Sequence, residues 1–355
     1  HLARKLNYWS VLGIPSPKPI PIFGNFLQFF TTPQPIQEIN WLSRYGKLYG
    51  YYLLNNPVLT IADPVLIKQI LVKDFHVFTD WRLKPMSGRH PISQKFLSDT
   101  SGDDWRRIRT IVSPTFTTGK IRKTYATIAH CLRDYAQHLD NTCAVNNAQL
   151  DVLTSMGTYA MDLIARVTLD IDIDAYNAYN SQRVSPFVTM ANKVVESGLV
   201  KNLSRLILPK WILWGTGDQS ARDFFVNTVR EVMAKRRQTD DERHDFMKLL
   251  MDAELPTDRA DSADTTNCKY DDQEADELEL DVHTNVSPTG PLNKKLTENE
   301  VLAQAVMFLV AGYHSTASNL TFLTYELALN PSAQQRLYLE LMDATDPDTG
   351  DIPYD

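Results

Sequence analysis

From Thr297 to Leu329 the chain reads TENEVLAQAVMFLVAGYHSTASNLTFLTYELAL, with no proline and a single glycine. Thr297 followed three residues later by Glu300 is a capping box, in which the threonine hydroxyl and the glutamate satisfy each other's backbone N–H. Asn330-Pro331 closes this helix and opens the next, because proline fits the first turn of a helix but not its interior. At about 1.5 Å per residue the segment is a rod of about 50 Å. Between Val301 and Ala311 only Gln304 is polar. A helix apolar on every side for three turns must be surrounded by other elements, so the fold is built around this rod. It is too short in apolar length for a bilayer span, which needs about 20 such residues.

The apolar run breaks at Ala311-Gly312-Tyr313-His314-Ser315-Thr316. Glycine in a helix interior costs about 1 kcal/mol relative to alanine, and buried hydroxyls require partners. Ser or Thr can bond the carbonyl one turn back and bend the helix. Two readings are open. One is a close helix crossing, with Gly and Ala admitting a neighbour. The other is a notch at Gly312 that admits something flat or small, with Ala311 and Ser315 one turn apart on the same side. GYHST is not the GxSxG of a serine hydrolase, whose nucleophile needs a strand-to-helix turn.

Elsewhere, VLGIPSPKPIPI (11–22) places proline at alternate positions and reads as a stiff, extended lead-in. KLYGYYLLNNPVLTIADP reads as strands at about 47–54 and 57–62 around an Asn55-Asn56 turn. Asp63-Pro64 caps and starts a helix through about Lys73. Further helices are predicted at about 103–113, 118–141, 150–169, 185–200, 218–238 and 242–253. Residues 254–293 are polar and acidic and read as a flexible surface loop.

Charge is concentrated in that loop. Residues 252–281 hold twelve acidic and two basic side chains, a local −10 against −7 for the whole chain, so the remainder carries about +3. Cys131, Cys143 and Cys268 form no CxxC pair and no disulfide framework. No HExxH, zinc-ligand spacing or phosphate loop is present. His130 and His138, two turns apart, read as ordinary helix histidines.

Residues 105–123, WRRIRTIVSPTFTTGKIRK, hold six basic residues and no acid. On a helix Trp105, Ile108, Ile111 and Val112 form an apolar stripe with Arg109 at its edge, one turn from Trp105. An indole N–H and a guanidinium are both donors and together suit a carboxylate. The other reading is a solvated basic face with one arginine stem lying along apolar surface. Aromatic-basic interleaving does not extend beyond this segment, which argues against nucleic acid.

Together, in order and spacing, the WxxxR helix and the Ala-Gly-x-x-Ser-Thr break resemble a cytochrome P450, most closely the microsomal family-three drug and steroid hydroxylases. LGIPSPKPIPIFGN, YGKLYGYY, PVLTIADP, DDWRRIRTIVSPTFTTGKIRK and FLVAGYHSTASNLTFLTYELALNP carry the resemblance. It implies a mainly α fold with a small β-sheet, C-terminally incomplete, with 1–355 as a single incomplete domain and 254–293 a loop within it. The implied activity is that of a haem-thiolate monooxygenase. Such an enzyme inserts one oxygen atom of O2 into lipophilic xenobiotics or steroids, using NADPH-derived electrons. A thromboxane-synthase-like isomerase and a non-catalytic product binding lipids or partners are the alternatives.

On this resemblance Trp105, Arg109 and Arg82 bind the propionates of haem b, although Trp81 replaces the first of an arginine pair. Ala311 and Gly312 lie over the haem. Ser315, with Thr316 and His314, serves proton delivery, and Ser98 faces substrate. Two departures stand out: His314 replaces the family's acidic residue, and Ser315 replaces threonine. The Phe-x-x-Gly-x-x-x-Cys loop and the Glu-x-x-Arg pair are not found after Pro331, so no residue here is assigned as the axial cysteine, and this chain alone is expected to be inactive. A layer that covers the long helix is expected to be missing with them. The resemblance further implies NADPH–cytochrome P450 reductase as partner, met through the outward residues Arg106, Arg107, Lys120, Arg122 and Lys123. It also implies the cytosolic face of the endoplasmic reticulum membrane, approached through LVKNLSRLILPKWILWG (199–215), where Trp211 and Trp214 suit headgroup level.

Overall fold

The computed structural model describes residues 6–79, 90–145, 149–176, 185–195, 219–239, 245–254, 295–347, 350 and 352–354. Arg82, the 199–215 segment, Cys268 and all but the first residue of the 254–293 loop lie outside the described residues. Among the described residues the architecture is mainly helical with one two-stranded sheet. Two compact units emerge, one within His1–Asp80 and one within Trp81–Asn267 and Gly290–Asp355.

The first unit contains α1 (Tyr8–Val11), α2 (Gln28–Thr31), α3 (Gln34–Tyr45), β1 (Leu48–Leu53), β2 (Asn56–Ile61) and α4 (Pro64–Lys68). The strands pair antiparallel from Leu48↔Ile61 to Leu53↔Asn56. The turn is therefore Leu54-Asn55, one residue earlier than the expected Asn55-Asn56, with Leu54 in the left-handed region at φ 56°. β1 is buried along Tyr49–Tyr52. Trp41 of α3 packs on Tyr49 and Tyr51. Trp9 lies over Gly50, where an added Cβ would stand 2.3 Å from the indole, and its ring N–H donates to the Tyr51 carbonyl at 3.1 Å. Asp63 caps α4, accepting from Val65 N–H at 2.9 Å and Leu66 N–H at 3.1 Å. One wider π-type turn, Gln69–Lys73, then carries the helix to its expected end.

The second unit contains α5 (Gly102–Val112), α6 (Thr118–Val145), α7 (Val152–Leu169), α8 (Pro186–Val195), α9 (Gln219–Gln238), α10 (Phe246–Asp252), α11 (Glu298–Leu329) and α12 (Pro331–Ala344). Its core joins Ile108 and Val112 of α5, Met161, Ala165 and Leu169 of α7, and Phe225, Val229 and Met233 of α9. Leu302, Val306 and Leu309 of α11 complete it. Within α11 the stretch Val301–Val306 is buried on every side, and the rest of the apolar run, from Met307 to Ala311, is less so, with Ala311 exposed. Farther along, the same helix opens: Phe322, Leu323, Tyr325 and Leu329 are exposed, and so are Tyr338, Leu339 and Met342 of α12. Among the described residues no helix is long and apolar enough to cross a membrane.

Candidate functional site

The break in α11 is positioned from the start of the helix. The Thr297 N–H donates to Glu300 Oε2 at 2.8 Å, and the Thr297 hydroxyl accepts from the Glu300 N–H at 3.4 Å, completing the capping box. Glu300 has a second task. Arg107 of α5 donates to its carboxylate at 2.6 and 3.2 Å and to the Lys295 carbonyl at 2.8 Å. Burial pushes the Glu300 carboxyl up, but the Arg107 and Thr297 hydrogen bonds outweigh it and hold the group below its ordinary value. The Glu300 hydrogen bond likewise raises Arg107. Arg107 is thus an internal clamp, not one of the outward basic residues expected from sequence.

One turn further, Gln304 is fully buried. Its carboxamide accepts from the Leu97 N–H at 3.0 Å and donates to the Lys95 carbonyl at 2.8 Å. The lone polar residue of the apolar run is therefore satisfied on both sides, which is what burial of an amide demands. Sequence gave no sign of these partners, because they lie about two hundred positions away.

At the break itself the side chains divide between two sides. Gly312 faces α7: a Cβ there would stand 2.5 Å from Ile164 Cδ1. The notch expected at Gly312 is filled by Ile164, so for this residue the close-crossing reading holds. Tyr313 is buried, its hydroxyl donating to Asn192 Oδ1 of α8 at 2.7 Å. Ala311, His314 and Ser315 are exposed and Thr316 is half-buried. Ser315 Oγ donates to the Ala311 carbonyl at 2.8 Å. That bond uses the hydroxyl proton within the helix and leaves the oxygen's lone pairs outward. The open face is therefore Ala311–Ser315, flanked by His314.

On α5, Trp105 is half-buried against the core, Ile108 and Val112 are buried, and Arg109 is exposed. Among the described residues the Arg109 guanidinium has no ion-pair partner. Ser98 is exposed, one residue beyond buried Leu97.

The described cysteines do not offer a metal ligand. Cys131 is fully buried, and burial, reinforced by Asp162 and Asp134 against Arg166, pushes its thiol up to about 11. Cys143 is half-buried in the last turn of α6. Among the described residues no group of three His, Cys, Asp or Glu could hold a metal ion. His130 lies 3.1 Å from Asp134, and His138 stacks on Tyr176. A cavity of about 440 Å3 lined by His130, Arg166, Asp170 and Asp172 opens beside α6 and α7, and no α11 residue lines it.

Two of these features, each taken by itself, match parts of a flat apolar ring with anionic tails. The open Ala311–Ser315 face suits the ring, and the exposed Arg109 beside Trp105 suits a carboxylate tail. An iron held by thiolate would need an accessible thiolate, which buried Cys131 does not supply.

Comparison with known proteins gives a family match and a set of relatives. The family model described as cytochrome P450 matches residues 14–355. Cytochrome P450 3A40 of Oryzias latipes is 29% identical over 98% of this chain and 64% of its own length. Cytochrome P450 3A56 of Fundulus heteroclitus is 30% identical over 98% of this chain and 65% of its own length. Cytochrome P450 3A12 of Canis lupus familiaris is 30% identical, covering 97% and 62% respectively. The chain thus spans a little under two thirds of these relatives.

Proposed function

Because the chain belongs to the cytochrome P450 family, we propose that the full-length protein is a haem-dependent monooxygenase. It inserts one atom of O2 into lipophilic substrates and reduces the other to water with two electrons from NADPH. The observation that carries this reading is the divided break in α11. Gly312 and Tyr313 lock the helix to its neighbours, while Ala311 and Ser315 remain open on one side.

Haem, when bound, supplies the oxidation chemistry. The chain's own residues supply binding and proton handling. Trp105 and Arg109 would hold the propionates, with Arg82 as a third donor by family resemblance, and Ala311 would face the ring. Ser315 Oγ, tethered to the Ala311 carbonyl, presents its lone pairs outward and can accept a proton-bearing water there. His314, exposed beside it, has ring nitrogens that can accept or donate that proton.

Electrons are supplied by NADPH–cytochrome P450 reductase, an acidic donor met through Arg106, Lys120, Arg122 and Lys123. Arg107, clamped to Glu300, is excluded from that surface. The proposal extends to the cytosolic face of the endoplasmic reticulum membrane, where lipophilic substrates concentrate, a setting that the Trp211 and Trp214 pattern in the sequence of 199–215 suits.

The His314-Ser315 pair in place of acid and threonine favours one second reading, an isomerase that needs no proton delivery to O2. The test is NADPH-dependent O2 uptake and oxygenated product from a lipophilic steroid by the full-length protein with reductase. Rearrangement of a substrate peroxide without NADPH would establish the isomerase instead.

A further inference from the structure

We propose that Gln304 is a positioning residue for substrate, holding the 95–98 segment as the end wall of the open face of α11. The inference deepens, and rests on, the monooxygenase reading.

Three observations carry it. First, Gln304, Ala311 and Ser315 are spaced by seven and eleven residues, close to two and three whole turns, so they lie within about 20° of one line along the helix. Gln304 lies about 10 Å from Ala311 along the axis, with half-buried Phe308, packed on Phe116 and Phe246, between it and the open face. Second, that end of the line is closed. The Gln304 carboxamide accepts from Leu97 N–H at 3.0 Å and donates to the Lys95 carbonyl at 2.8 Å, in the manner of one residue of a pairing strand. Third, the segment so held is anchored on its buried side and exposed at its tip. Ser93 and Leu97 are buried, Phe96 packs against the core, and Ser98 is exposed.

The physical consequence is specific. Segment 95–98 has a short 3-10 turn, Ser93–Lys95, and no strand partner. The Gln304 side chain supplies both hydrogen bonds between α11 and this segment's backbone, beside the packing of Phe96 and Leu97 on the core. A molecule lying against Ala311 and Ser315 and extending along α11 meets the wall that Gln304 fixes. Moving the wall changes which of the molecule's carbons reaches the reacting end.

The experiment uses the full-length protein with reductase and progesterone, a steroid with several oxidisable positions. Gln304→Leu keeps the volume and deletes both hydrogen bonds. Gln304→Glu keeps the acceptor for Leu97 and deletes only the donor. Met233→Ala, in the α9 core, serves as a destabilised control. Hydrogen exchange at residues 95–98 is expected to quicken about tenfold or more in Gln304→Leu, and less in Gln304→Glu. The ratio of oxidation products is expected to shift by about threefold or more, with KM rising more than kcat falls. The control is expected to lower Tm without changing that ratio. Unchanged exchange at 95–98 overturns the proposal outright. Quickened exchange with an unchanged product ratio overturns it as a specificity device. A wild-type protein that forms no NADPH-dependent product overturns the monooxygenase reading, and the exchange measurement then decides alone whether Gln304 holds the segment. Should Gln304→Leu fail to fold, Gln304→Glu carries both measurements.

Discussion

Arg107 and Glu300 close a fork of two hydrogen bonds, 2.6 and 3.2 Å, between α5 and the first turn of α11, with side chains only 16% and 8% exposed. The same carboxylate completes the capping box with Thr297. Removing one partner leaves the other charged and buried. Arg107→Ala is therefore expected to destabilise the protein by about 3 kcal/mol. Replacing both, Arg107→Met with Glu300→Gln, is expected to cost less than the single change. A double-mutant cycle by denaturant titration checks this; additive costs would contradict it.

That clamp also gives an acid limit. Glu300 has a folded-state value below its ordinary 4.5, so its contribution to stability is complete above that value. It is lost as pH falls through the depressed folded value. Wild-type stability is expected to decline in that acidic window more steeply than that of Glu300→Gln. Parallel pH profiles for the two proteins would count against it.

Gly312 and Ile164 form the tight point of the α7–α11 crossing. An alanine Cβ would stand 2.5 Å from Ile164 Cδ1 and 2.8 Å from Cγ1. Gly312→Ala is expected to destabilise by about 1–2 kcal/mol, overpacking outweighing the better helix propensity. In an Ile164→Ala background those two atoms are absent, and the same change is expected to become neutral or stabilising by up to about 1 kcal/mol. Thermal melts of the four proteins measure the change of sign.

Much of this was legible in sequence because it is local. The Thr297–Glu300 box, the Asp63-Pro64 start and the extent of α11 depend on residues within a few positions of one another. The partners of Arg107, Gln304 and Gly312 were not legible. Periodicity shows that a helix has faces but not which neighbour meets each. Thus Arg107 read as outward, and Gly312 stayed open between a close crossing and a notch. Gln304 was visible as an anomaly, the only polar residue in three turns, and buried amides require partners. The partners themselves, Lys95 and Leu97, are set by tertiary packing.

Cys131 provides a chemical check on the core between α6 and α7. With its thiol at about 11, it carries about one part in ten thousand thiolate at pH 7. In the native protein iodoacetamide is expected to modify half-buried Cys143 well before Cys131, and Cys131 only at the rate of unfolding. Mass spectrometry of timed digests follows both. Rapid native-state labelling of Cys131 would show that this core is open.

In the proposed reaction the pair His314 and Ser315 is expected to affect how efficiently electrons reach product. Ser315 Oγ spends its proton on the Ala311 carbonyl, and serine lacks the methyl that would crowd water from this exposed turn. His314 offers a proton carrier but no carboxylate. O2 that takes two electrons and two protons without reaching substrate leaves as hydrogen peroxide. The double variant His314→Glu, Ser315→Thr is therefore expected to raise product per NADPH consumed by about twofold or more, with less peroxide. Even this is small beside the 10²–10⁴-fold effects of complete general acid–base groups. Ser315→Ala, which removes the hydroxyl, is expected to lower the same ratio. Product, NADPH and peroxide measured in one reaction decide the matter: equal ratios in all three proteins would remove His314 and Ser315 from proton delivery.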